Sequence, residues 1–146
     1  MKILVCVDLS DSTEEILKRI EELCRPLNAK VWLLHNATPE PDTIEFKADP
    51  IEARESLAKK FHQQHRQIQA LAERFRKSGV DATGLLVHGK TVDTILKEAS
   101  DLDIDVIVVG SHGHGAMYQL LVGSISEGVL HRSSRPVLVI PTHERE

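Results

Sequence analysis

Aromatic residues are scarce in this chain of 146 residues, where they make up only 3% of the sequence. Proteins that bind single-stranded nucleic acids commonly stack bases on aromatic rings, and few such rings are available here. The formal net charge is −4, from 18 Lys and Arg against 22 Asp and Glu, whereas phosphate backbones are bound by basic surfaces. These two features argue against a nucleic-acid partner.

Cysteines and long apolar runs are also scarce. Cys6 and Cys24 are too few for a disulfide framework, and we interpret them as buried free thiols in a reducing compartment. No run approaches the ~18 apolar residues that a membrane-spanning helix needs. The apolar start at residues 3–7 is closed by Asp8, unlike the longer apolar region of a signal peptide. We therefore expect a cytoplasmic protein with no membrane partner.

Apolar runs and helical patterns alternate along the chain. Runs rich in Val, Ile and Leu occupy residues 3–7, 31–34, 85–87, 104–109 and 137–140. Their nearly continuous apolar character is typical of parallel strands that are buried on both faces. Helical patterns separate the runs, at about 12–27, 51–77, 91–100 and from 124 onward. This order predicts one α/β domain over residues 1–146, with a doubly wound parallel sheet covered by helices on both faces.

The second helical pattern is long, and its apolar stripe is expected to lie in the core. The stripe consists of Leu57, Phe61, Ile68, Leu71, Ala72 and Phe75. The fourth pattern carries Ile125, Val129 and Leu130 at helical spacing. The segment 37–50, with three prolines and four acids, is interpreted as a solvated connection or as a lid over a ligand.

Two predicted strand ends differ from the others. In open α/β sheets, ligands bind beyond the carboxyl ends of the strands, where the strand order reverses. Strand one is followed by Asp8, and strand four ends in a loop with three glycines within residues 110–115. Glycines let backbone N–H groups turn toward an anion, and the helix start at Gly123-Ser124 attracts phosphate. These residues fit a nucleotide clamp in which Asp8 accepts hydrogen bonds from a base or ribose, or else a Gly-rich turn and an ordinary helix cap.

Other motifs support no catalytic or metal site. Residues 84–91 satisfy the P-loop pattern Gly-x4-Gly-Lys-Thr, but the residues between the glycines are themselves an apolar strand, and residues 80–83 before them make a poor strand. His62 and His65 share a helix face without a third metal ligand. His35 and His88 follow strands and are interpreted as pocket-bordering or core-edge side chains. No Gly-x-Ser-x-Gly nucleophile motif is present.

The glycine segment also carries a family resemblance. Gly110-Ser111-His112-Gly113, nine residues and then Gly123-Ser124 match Gly-x-x-Gly-(nine)-Gly-Ser/Thr, which marks the ATP-binding branch of the universal stress protein family. The segments 7–10, 87–89, 125–127 and 135–140 also resemble that family. The resemblance implies a Rossmann-like sheet in the order 3-2-1-4-5, a homodimer often formed through the last strand, and a regulatory protein that binds an adenine nucleotide.

By the same resemblance, Asp8 would contact adenine and the backbone of Asn36 would line the base pocket. Val109 and Gly110 would meet the ribose. The implied phosphate-binding residues are His112, Gly113, Gly123, Ser124 and Ile125. The ligand would be ATP, or ADP or AMP, with or without Mg²⁺.

Two positions depart from the family pattern. Asn36 is polar where nucleotide-binding relatives usually have an apolar residue, which predicts a wetter base pocket. Residues 114–122 contain no Lys or Arg, where relatives often place a basic residue. A triphosphate would then depend on backbone donors, hydroxyls, Mg²⁺ and His112 or His114. The alternatives are an interaction module whose pocket is empty or holds another small anionic ligand, and a slow ATP hydrolase in which His112 orients a water molecule.

Overall fold

The computed structural model describes residues 1–10, 12–37, 50–111 and 124–142. Within these residues, strands and helices alternate in the predicted order. The strands are β1 (Lys2–Cys6), β2 (Lys30–Asn36), β3 (Asp81–Val87), β4 (Val106–Gly110) and β5 (Val137–Ile140). The helices are α1 (Ser12–Leu27), α2 (Pro50–Lys77), α3 (Thr91–Asp101) and α4 (Ser124–Arg132). The segment interpreted as a connection or lid lies, at residues 38–49, outside the described residues.

The described strands form one parallel sheet in the order β3-β2-β1-β4-β5, which confirms the predicted fold. At its centre, Val5 of β1 pairs with Leu33 of β2 on one side and with Val108 of β4 on the other. The strand order therefore reverses beside β1. The carboxyl ends of β1 and β4 adjoin at the place where α/β sheets bind ligands.

Both faces of the sheet are buried. On one face, α1 and α2 cover a cluster that includes Val5, Val31, Leu33, Ile16, Leu17, Ile20, Ile68, Ala72 and Phe75. On the other face, α3 and α4 cover a cluster that includes Leu4, Trp32, Leu34, Ile107, Val109, Ile95, Ala99 and Val129. Two apolar clusters explain why the strand sequences are nearly continuous in apolar residues rather than alternating.

Some apolar residues at helical spacing lie at the surface. Leu57 of α2 is 37% exposed, so the prediction that the whole stripe is core is wrong at its first residue. The reason is length: α2 has 28 residues, about 42 Å, whereas the neighbouring β3 has seven, about 23 Å. The helix therefore extends past the sheet. In α4, Val129 is buried, whereas Ile125 and Leu130 are 44% and 43% exposed.

The two cysteines are free thiols, with Cys24 buried and Cys6 half-buried. Burial raises the pKa of Cys24 to about 11 and that of Cys6 to about 12. In the part of the chain that the structure describes, no helix is both long enough and apolar enough to span a membrane.

Candidate functional site

The carboxyl end of β1 leads into a turn built around Asp8. Oδ1 of this exposed carboxylate accepts hydrogen bonds from the backbone N–H and the hydroxyl of Ser10, at 2.9 and 2.5 Å. The hydroxyl of Thr13 donates to the same oxygen at 3.4 Å. Leu9, within the turn, has a φ of 60°, a left-handed conformation that costs a non-glycine residue roughly 1–2 kcal/mol. Its side chain packs against the α1–α2 core, which helps to hold the strained turn in place.

Side chains pack closely around Gly110 at the carboxyl end of β4. A Cβ atom there would lie 2.9 Å from Cδ1 of Ile16 and 3.0 Å from Cγ2 of Thr142. The carbonyl of Gly110 accepts a hydrogen bond of 2.5 Å from the buried hydroxyl of Ser126. Ser126 therefore fixes the first turn of α4 to the end of β4. Val109, the preceding residue, is buried.

Asn36, the last residue of β2, holds the neighbouring β3–α3 loop with its side chain. Its Nδ2 donates to the carbonyl of Gly89 at 2.8 Å and to the hydroxyl of Thr91 at 3.1 Å. Both amide hydrogens are thus used within the chain. The sequence predicts a wetter base pocket from the polarity of Asn36, but both hydrogens of its side-chain amide bind the β3–α3 loop.

The two histidines at the carboxyl ends of strands differ in environment: His35 is the penultimate residue of β2, and His88 directly follows β3. His35 is 8% exposed, and its Nδ1 lies 3.0 Å from the carbonyl oxygen of Val7. Because a carbonyl oxygen only accepts, Nδ1 is the donor. His88 is exposed, and its ring meets Phe61 edge-on with the centroids 4.8 Å apart. Sequence reasoning missed the contact of His35 with β1; its only signal is a histidine that directly follows the apolar run of β2.

Part of the predicted phosphate site lies outside the described residues, namely His112, Gly113 and Gly123. The structure does describe the start of α4 at Ser124 and the exposed side chain of Ile125. It thus brings Asp8, Val109 and Gly110 to adjoining strand ends, with the start of α4 fixed beside them and Asn36 on the other side of β1.

A family comparison agrees with this geometry, since the model described as "Universal stress protein family" matches residues 1–141. The chain belongs to the universal stress protein family. It is 27% identical over 155 aligned positions to universal stress protein MJ0577 of Methanocaldococcus jannaschii, an alignment that covers 95% of this chain and 93% of that protein.

Solved structures resemble the fold over nearly the whole chain. MJ0577 is similar with a TM-score of 0.80 at 26% identity, covering 99% of this chain and 97% of that one. A universal stress protein in complex with cAMP has a TM-score of 0.68 at 23% identity, with 98% of each chain covered. A universal stress protein from Archaeoglobus fulgidus in complex with dAMP has a TM-score of 0.62 at 24% identity, covering 96% and 97%. At these identities, the two complexes support the fold alone.

In this universal stress protein, the charge of the two chain segments at the candidate site is unfavourable for binding an anion. Neither residues 3–17 nor residues 98–131 contain a Lys or Arg, whereas both contain several acids. Among them, Glu14 pairs with Arg74 of α2 at 2.6 Å. In the described ranges, no three His, Cys, Asp or Glu side chains are grouped closely enough to hold a metal ion. Anion binding by these segments would therefore rest on backbone N–H groups, hydroxyls and histidines.

The P-loop pattern in this family member is part of the sheet. Gly84 lies in the middle of β3, where it pairs with Leu33 of β2. A Cβ atom at Gly84 would lie 3.0 Å from the carbonyl oxygen of Ile68 in α2, so this glycine permits close packing of helix on strand. The expectation of a poor strand before it is wrong, since β3 begins at Asp81. The strand nevertheless continues to Val87, so three of the four residues between the two glycines of the pattern belong to β3 and do not form a phosphate-binding loop.

Proposed function

We propose that this universal stress protein binds an adenine nucleotide at the carboxyl ends of β1 and β4, as a one-domain regulatory protein. The observation that carries the proposal is that Asp8 follows β1 and Gly110 ends the adjacent β4, at the point where the strand order reverses. The start of α4 is fixed beside them through Ser126. A helix N-terminus supplies unpaired N–H groups that suit a phosphate, and a carboxylate suits the amino group of adenine.

The residue roles follow the family motif. Oδ1 of Asp8 is engaged in its own turn, so Oδ2 would accept from the base. The backbone at Asn36 would line the base pocket, and Val109 and Gly110 would meet the ribose. The phosphates would be held by His112, Gly113, Gly123, Ser124 and Ile125. Two solved structures of similar universal stress proteins are complexes with cAMP and with dAMP, and we propose an adenine ligand for this chain by analogy with them.

The proposed ligand is ATP, ADP or AMP, which differ in their number of phosphate groups. Because the two site segments lack Lys and Arg, a triphosphate would bring Mg²⁺ held by its own phosphates, as is common for this ion. We also propose a cytoplasmic homodimer paired through β5, in which Leu138 is 38% exposed.

Two measurements test ligand binding. The purified protein is denatured, and any released nucleotide is identified by chromatography. The intact protein is then titrated with ATP, ADP, AMP and cAMP, with and without Mg²⁺, while its melting temperature is followed. A ligand at a hundredfold its Kd is expected to add about 2.7 kcal/mol to the free energy of unfolding. No released nucleotide and no melting shift would favour an interaction module instead, and phosphate release that is lost in His112→Ala would favour a hydrolase.

Matched substitutions test the site. Asp8→Asn removes the negative charge that would face the adenine amino group, and we expect its Kd for the nucleotide to rise about tenfold or more. Asp81→Asn makes the same charge change at the opposite edge of the sheet, where β3 begins, and should leave the Kd unchanged. Gly123→Val should abolish binding. Unchanged binding in Asp8→Asn and Gly123→Val would refute the proposed site.

A further inference from the structure

The ladder between β1 and β2 ends just before Asp8. The last of its hydrogen bonds runs from the backbone N–H of Val7 to the carbonyl of Leu34, at 2.9 Å. Beyond this point β2 stays with β3, since Ala37 donates to the carbonyl of Val87 at 2.8 Å. The chain of β1 turns away toward α1. The carbonyl of Val7 is therefore the first acceptor that follows the end of the ladder.

His35 binds that carbonyl from the neighbouring strand. Its Nδ1–H donates to Val7 over 3.0 Å, from an imidazole that is more than nine-tenths buried. The other ring nitrogen, Nε2, is buried and has no hydrogen-bond partner among the described residues. Among the described residues, Val7 is thus the hydrogen-bond partner of this ring. A buried imidazole with one nitrogen unpaired is costly, and the bond from Nδ1 to Val7 offsets part of that cost.

The Val7 carbonyl shares a planar peptide group with the backbone N–H of Asp8. The hydrogen bond that holds this oxygen therefore also restrains the orientation of the peptide plane that leads into Asp8. The turn that follows contains the left-handed Leu9 and the bond from Ser10 to Oδ1 of Asp8. Such a conformation persists where its surroundings determine it at several points. The hydrogen bond from the imidazole of His35 attaches the start of this turn to β2.

We propose that His35 is a positioning residue that orients Asp8 and thereby sets the preference for adenine over 6-oxopurines. This inference rests on the proposed function, in which Asp8 accepts from the adenine amino group. Hypoxanthine carries a carbonyl oxygen in place of that amino group, so a correctly oriented carboxylate repels it. A site built to pair with a hydrogen-bond donor strongly rejects an analogue that lacks the donor.

Three substitutions at His35 separate positioning from packing. His35→Asn places an amide N–H close to the position of Nδ1 and preserves the bond to Val7. His35→Gln carries its amide toward the position of Nε2, and His35→Leu removes the donor at similar volume. The Kd values of AMP and IMP, or of ATP and ITP if triphosphates bind more tightly, are measured by calorimetry. We expect the adenine preference to fall about tenfold in His35→Leu and His35→Gln and to stay within about twofold of wild type in His35→Asn.

The ratio of the two Kd values is the decisive readout, because a general loss of stability weakens both ligands equally. An unchanged ratio in His35→Leu and His35→Gln, or an equal loss in His35→Asn, would overturn the proposal. If His35→Leu fails to fold, the comparison of His35→Asn with His35→Gln decides.

A second measurement needs no nucleotide. The backbone amide of Ser10, which donates to Asp8, should exchange its hydrogen about tenfold faster in His35→Gln than in wild type or His35→Asn. Equal exchange in all three proteins would refute the positioning of Asp8. If wild type binds neither purine, the proposed function fails, and the exchange rates alone decide whether His35 orients the turn.

Discussion

Burial of the Cys24 side chain raises the pKa of its thiol from 9.0 to about 11, and the pKa of Cys6 rises to about 12. In the unfolded chain both thiols ionise near their ordinary pKa, whereas the folded protein keeps them protonated to higher pH. Their contribution to the free energy of unfolding is therefore fully present below pH 9. It falls as the pH rises from 9 through the folded-state pKa values, because the unfolded state releases its protons first.

Replacing Cys24 with Ala tests this linkage. Each thiol that ionises only when unfolded lowers the free energy of unfolding by up to about 1.4 kcal/mol per pH unit above pH 9. Cys24→Ala is less stable than wild type at pH 8 because it leaves a small cavity, but it should lose less stability between pH 9 and 10.5. Urea unfolding at pH 8, 9 and 10.5 measures both slopes. Parallel slopes would show that Cys24 is not protected from ionisation.

Single residues also show where sequence reasoning succeeds and where it stops. Asp8 and Gly110 are predictable because they are local: each follows or ends an apolar run, and a spaced glycine motif marks one of them. The bond from His35 to Val7 joins residues 28 positions apart. It depends on the register of two strands and on the exact residue at which they separate, and no pattern within one segment encodes either.

At the scale of elements, the apolar periods predict the order and type of every described strand and helix, but not which turns of a helix meet the sheet. Leu57 and Ile68 share one stripe of α2, yet Leu57 is 37% exposed and Ile68 is buried. Periodicity identifies a face of a helix, whereas burial also depends on how far the neighbouring strand reaches. Ile125 of α4 illustrates the same limit at a helix start.

The attachment of α4 to the sheet depends on Ser126, whose buried hydroxyl donates to the carbonyl of Gly110. Ser126→Ala leaves that carbonyl without this donor, so we expect the free energy of unfolding to fall by about 1–3 kcal/mol. Nucleotide affinity should fall as well, because the start of α4 is no longer fixed to β4. Ser100→Ala, at an exposed position of α3, should change stability by less than about 0.5 kcal/mol. Equal urea midpoints for the two variants would contradict this role for Ser126.

At the scale of the whole molecule, both faces of the sheet carry the core, so neighbouring residues of one strand should be equally important. Leu33 belongs to the α1–α2 cluster and Leu34 to the α3–α4 cluster, and both are at most 1% exposed. Each change to Ala is expected to lower the free energy of unfolding by about 2–5 kcal/mol. Leu23→Ala, at a residue of α1 that is 45% exposed, should cost less than about 1 kcal/mol. If Leu34→Ala unfolded at the same denaturant concentration as wild type, the face of the sheet covered by α3 and α4 would be dispensable for stability.

The distribution of charge over the molecule makes a separate prediction about the ligand. The two segments of the proposed site contain no Lys or Arg, so a cation added there should favour triphosphate over monophosphate. Ile125→Lys places one at the second residue of α4, where the side chain is 44% exposed. Leu130→Lys makes the same charge change at a residue 43% exposed, about 7.5 Å farther along the helix.

For Ile125→Lys we expect the ratio of ATP to AMP affinity at low salt to rise about fivefold, which corresponds to about 1 kcal/mol. Leu130→Lys should leave the ratio near that of wild type, because the added charge lies a turn and a half farther from the proposed phosphates. The gain should shrink in 0.5 M salt, where screening acts within a few ångströms. Calorimetric titrations of both nucleotides without Mg²⁺ supply the numbers. An equal gain in both variants would indicate an effect of net charge alone, and the phosphates would then have to be assigned away from the start of α4.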